Sequence, residues 1–183
     1  MPDNHEFAKL LVTPAPADLG PGPRPGVRAE AELNRELDSL LAQANVEPER
    51  AKLIRALVLL WHDHLDASHT LSQSVDNSDG AFVHGIMHRR EPDYGNAAYW
   101  FRRVGAHGAF SELAKRAGGL PDSQSGAELR QSIIRDGTWN PFAFIDECER
   151  VNRQNASPAR RDLLRKVQQI ESETLLDWLC KAI

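Results

Sequence analysis

A chain of 183 residues, 41% hydrophobic and 26% charged, is long enough to bury a core without disulfide or metal support and too apolar to be disordered throughout. A net charge of −4 and a pI near 6.0 exclude a global basic field, so neither nucleic acid nor an anionic membrane surface is an expected partner. The two cysteines, Cys148 and Cys180, lack CxxC spacing and read as reduced, buried thiols of a soluble cytoplasmic protein.

The opening MPDNHEFAKLLV has early acids and a short apolar run broken by Lys9, which does not fit a signal peptide. Six prolines (Pro2, Pro14, Pro16, Pro21, Pro23, Pro25) fall within the first 26 residues. Fixed dihedrals and missing N–H donors argue there against helix or central strand. Residues 1–27 are therefore expected to form a flexible Pro/Gly-rich arm, with Phe7, Leu10, Leu11 and Val12 available to dock.

From Arg28 the apolar spacing is helical almost throughout, and residues 28–183 read as one all-helical domain. Leu33, Leu37, Leu40 and Leu41 stripe a first helix. A second runs from Pro48, suited to a first turn, to Trp61. A third covers about Leu65 to Val75 and is broken by DNSDG. The next spans about Gly80 to Arg90, with Ser78 or Asp79 as N-cap, and Pro92 ends it. Another covers Tyr94 to Val104 and stops at Gly105. Further helices are predicted at Ala109–Ala117, Gly126–Arg135, Pro141–Arg153 and Pro158–Cys180, the last capped by Ser157. No stretch alternates with period two, so no sheet is expected, and WNPFAF is expected to anchor its helix in the core through Trp139, Phe142 and Phe144.

The stretches HLDASHTLSQSVD and YGNAAYWFRRVGA align with a period of 30, pairing Ala67 with Ala97, Leu71 with Phe101 and Ser74 with Val104. This small–large–small stripe resembles the second helix of tetratricopeptide repeats, which implies antiparallel hairpins stacked in an array. An irregular helical bundle is the alternative. WHDHLDASHTLSQ, GAFVHGIMHRREPDYGNAAYWFRRVG and WNPFAFIDECE also resemble a family of bacterial and fungal proteins sharing an IMHRRExDYxNAxYWFRRVG core, over roughly residues 51–183. That resemblance implies no reaction.

Two functional readings stand side by side. Residues 84–116 hold Arg89, Arg90, Arg102, Arg103, Lys115 and Arg116 against Glu91, Asp93 and Glu112, a local surplus of three positive charges in an acidic chain. Guanidinium forks suit phosphate or carboxylate, and Tyr99 or Trp100 can stack on a ring. A face of His62, His64, His84, His88, Arg89, Arg90, Tyr99, Trp100, Arg102 and Arg103 is thus expected to bind a protein partner or small anionic ligand. The alternative is a small metal-dependent enzyme of hydrolase or oxygenase type. His84 and His88, four apart on one helix face, would hold Zn, Fe or Mn together with His62 or His64 and the carboxylate of Glu91. HGIMH lacks the glutamate of HExxH, and no phosphate loop, dinucleotide fingerprint or serine elbow is present. Cys148 as a nucleophile would need a histidine and an acid assembled around it.

Overall fold

The structure, a computed structural model, describes residues 4–120, 123–154 and 156–181. Among the described residues it is all-α. In chain order the helices are α1 (Asn4–Lys9), α2 (Glu30–Ala44), α3 (Pro48–Trp61), α4 (Leu65–Ser72), α5 (Ser78–Arg90), α6 (Tyr94–Val104), α7 (Phe110–Gly118), α8 (Gln124–Ile133), α9 (Pro141–Arg153) and α10 (Pro158–Cys180). A two-residue hairpin, β1 (Ile134–Arg135) with β2 (Thr138–Trp139), sits between α8 and α9. No described helix is long and apolar enough to cross a membrane.

Local chemistry sets the ends. Pro48, Pro141 and Pro158 stand in first turns, where a missing N–H costs nothing. Asn140 and Ser157 accept backbone N–H bonds as N-caps, and Asn77, rather than Ser78 or Asp79, caps α5 by accepting from the Gly80 amide. The hairpin departs from the expectation of no sheet. Asp136 and Gly137 both adopt positive φ, the dihedrals of the two-residue turn that Asp-Gly favours.

Helices α3 with α4 and α5 with α6 form antiparallel hairpins. In the second, a Cβ added at Gly85 would lie 2.8 Å from the Phe101 ring, so glycine permits the close approach. Ala97, Phe101 and Val104 are buried along the α6 stripe. The pile is closed: α10 crosses α1, α3, α7 and α9, and a single apolar cluster runs through the molecule. Helix α5 occupies the centre, and every residue from Gly80 to Arg90 is buried.

The N-terminal stretch corrects the expectation of a flexible arm. Residues 4–26 lie against the body, with Phe7, Leu10, Leu11, Ala17 and Leu19 buried, whereas Val12 is exposed; Pro2 lies outside the described residues. Its carbonyls, unused by regular structure, are met by side-chain donors from elsewhere. Arg165 donates to Pro16 O at 2.7 Å, Gln168 Nε2 to Ala17 O and Asp18 O, and Arg90 to Gly20 O. Gly22, at φ +82°, passes so close to Asp63 that a Cβ would stand 2.7 Å from its carboxylate.

Candidate functional site

The end of α5 carries four polar side chains into the interior: His84, His88, Arg89 and Arg90. His88, Arg89 and Arg90 are successive and point about 100° apart, so they leave the axis toward different neighbours, while His84, four residues before His88, shares its face.

Arg89 faces α10 and α9. Its two terminal nitrogens grip both carboxylate oxygens of Glu171, with Gln168 Oε1 at 3.4 Å and the Phe144 ring 4.4 Å beneath the guanidinium. Burial opposes the charge, but Glu171 outweighs it and holds the Arg89 pKa above its ordinary value. Arg90 faces the turn between α3 and α4, donating to the Leu60 carbonyl and at 2.6 Å to Asp63. Asp63, in the left-handed region at φ 66°, also accepts from the backbone and side chain of Arg24. These arginines were expected on a ligand-binding face. They are 1% exposed and committed to internal acids, so they offer nothing to a solvent-borne anion.

His62 and His64 are committed as well. His62 Nδ1 accepts the Arg28 amide, and Nε2 donates to Leu10 O at 2.8 Å, which fixes a neutral tautomer. Burial lowers its pKa. His64 Nε2 donates to Arg28 O at 2.8 Å. Both serve to fasten residues 10–28 to the turn, and neither joins a metal-ligating group.

The structure instead brings His84 and His88 together with His69 of α4. One ring nitrogen from each lies within 4.8 Å of the others, the one such cluster among the described residues. His69 and His84 ring centroids are 4.7 Å apart, His69 and His88 5.3 Å, and His84 and His88 stack at 4.8 Å. Trp100 of α6 covers the other face of His84 at 3.9 Å and 21°. Of the expected face, Trp100 is thus the member that reaches the histidines.

Neither ring nitrogen of His84 has a hydrogen-bond partner, although the residue is only 2% exposed. His88 Nδ1 stands 3.2 Å from Glu91 Oε2 without the alignment of a hydrogen bond. Glu91 thus stands beside His88 without a hydrogen bond that fixes its ring. Burial, reinforced by His88 and His69, pushes the His84 pKa down to about 3; burial also lowers that of His88, against the nearby charge of Glu91. Both rings are then neutral at pH 7, the form that binds metal. The half-buried His69 and Trp100 form the outer wall.

The remaining candidates divide. Arg103 bonds exposed Asp76 at 2.6 Å and lies over Trp100, and Tyr99 is 46% exposed beside Trp100. Arg102 has no acidic partner among the described residues. Cys148 and Cys180 are buried, and burial pushes each thiol up to about 12, far from a nucleophilic thiolate.

His69 is the residue that sequence reasoning left out of the set. A signal existed in the short connection 73–77, which makes α4 and α5 neighbours and so brings a histidine of α4 within reach of the α5 pair. No protein-family model, curated protein or solved structure matches the chain.

Proposed function

We propose that this protein binds a divalent transition metal through His69, His84 and His88, and that a metal-bound water gives it hydrolytic chemistry. The observation that carries this reading is the His84 imidazole, buried with both nitrogens unpartnered beside two further histidines. Such a group costs about 1–3 kcal/mol if nothing satisfies it. Three imidazoles suit Zn, and also Fe or Mn, and leave a coordination position for water. In a tetrahedral zinc site the nitrogens stand roughly 3.4 Å apart, so ring movements of about 1 Å close this cluster on an ion. Glu91 supports the reading as the outer carboxylate, and the two stacked hairpins, tetratricopeptide-like in their small–large–small stripe, supply the rigid frame. A reducing, cytoplasmic setting belongs to the same reading, since both thiols are buried and free.

Elemental analysis of protein purified without chelator tests it. About one equivalent of Zn, Fe or Mn is expected, falling below a tenth in His69→Ala and His84→Ala. Absence of stoichiometric metal from the parent, with no rise in Tm on adding any of the three ions, would overturn it.

A further inference from the structure

A second site lies on the other side of α6. The last turn of that helix, the start of α7, the β hairpin and the first turn of α9 enclose an open cavity of about 590 Å³. Its volume falls in the range of small-molecule sites. Four aromatic rings line it: Phe101, Phe110, Trp139 and Phe142. The first three are buried, but Phe142, expected to anchor the core, is 40% exposed and among the few large apolar side chains left so. Trp139 carries a buried indole N–H with no acceptor among the described residues.

The rim is cationic. Arg102 and Arg135 line the cavity, together with a single acid, Asp136, 3.9 Å from Arg135 and almost fully exposed. Among the nearby arginines, Arg89, Arg90, Arg103 and Arg116 each hold an acid at 3.0 Å or closer, and Arg102 holds none. From the aromatic walls, the free guanidinium and the partnerless indole, we infer that this cavity binds a small aromatic carboxylate. Its ring system packs among Phe101, Phe110, Trp139 and Phe142, and its carboxylate is held by Arg102 at the rim. Aromatic rings gain from offset or edge contact beyond the area they bury, and a guanidinium fork matches the two oxygens of a carboxylate. This site shares no residue with the histidine cluster and does not depend on a metal there.

Calorimetric titration of the full chain with 2-naphthoate tests the inference, with neutral 2-naphthalenemethanol and cationic 2-naphthylmethylamine as controls. Naphthoate is expected to bind at least about tenfold more tightly than either control, the scale of one charge-assisted contact. Arg102→Ala should remove that advantage while leaving naphthalenemethanol within about twofold, and Phe142→Ala should weaken both. Both side chains are exposed, so circular dichroism of the variants should match the parent. Affinity unchanged by chelator is expected; affinity lost on chelation would move the carboxylate to the histidine site and overturn the proposal. Equal binding of the acid and the amine, an unaltered Arg102→Ala variant, or no binding by the parent would do the same.

Discussion

Two pairs of buried polar residues share the end of α5, and they are treated in opposite ways. Arg89 and Arg90 reach acids, two backbone carbonyls and a glutamine through their terminal nitrogens, while the Nε–H of each stays without an acceptor. His84, also buried, has no partner at either ring nitrogen, and His88 has only the Glu91 carboxylate, 3.2 Å from its Nδ1. Burying a polar group is costly unless it is bonded, and most such groups in folded proteins are. The arginine pair shows that this interior supplies partners where the fold needs them. In the proposed reading, a bound ion is the partner that the histidines of the same helix take.

The largest effect should come from breaking the satisfied half. Glu171→Ala strands the Arg89 charge at a position 1% exposed, and a loss of about 3–5 kcal/mol in unfolding free energy is expected by urea titration. Replacing both partners, Arg89→Met with Glu171→Leu, should recover most of that loss, because an apolar pair of similar volume needs no partner. A single substitution costing under about 1 kcal/mol would mean that solvent reaches the pair and that the contrast with the histidines is weaker than the geometry indicates.

The unsatisfied half should respond to what is added. Zn(II) at a hundred times its Kd should stabilise the parent by about 2.7 kcal/mol, a Tm rise of roughly 5–10 °C for a chain of this size. His69→Ala should abolish the rise while leaving the metal-free Tm nearly unchanged, since His69 is only half-buried. A Zn(II) response that survives in His69→Ala would move the ion elsewhere.

Much of this is legible in the sequence alone. The bounds of α3, α6, α9 and α10 follow from Pro48, Gly105, Pro141 and Pro158, because caps and first-turn prolines act locally. The Asp136–Gly137 turn is equally local, but the expected helix runs to Arg135 and no strand is expected on either side of the turn. The N-terminal arm was not legible by composition. Its order comes from Arg165 and Gln168, more than a hundred residues away in sequence, donating to carbonyls that a Pro-rich segment cannot use itself. At the site, the i, i+4 pair was visible, while choosing His69 over His62 and His64 needed the packing of α4 on α5. The arginines misled for a related reason: their acids, Glu171 and Asp63, lie on other elements, and local charge counting cannot see them.

The smallest effect is a pH dependence that separates the two halves without metal. His62, His84 and His88 all have folded-state pKa values lowered by burial, whereas in the unfolded chain each titrates near 6.5. Below that value the unfolded chain takes up protons that the folded chain refuses. Stability is therefore complete above about pH 6.5 and declines as pH falls, by at most about 1.4 kcal/mol per pH unit for each such group. Arg89 and Arg90 stay charged through this range and add no slope. In metal-free protein, Tm should fall by several degrees between pH 7 and 5, and His84→Leu should flatten that fall while raising the pH 7 stability by about 1–3 kcal/mol, because it removes a buried imidazole that nothing satisfies. An unchanged slope in His84→Leu would mean that solvent or a neighbouring group already receives the His84 proton, and the partnerless imidazole would no longer distinguish the two halves of α5.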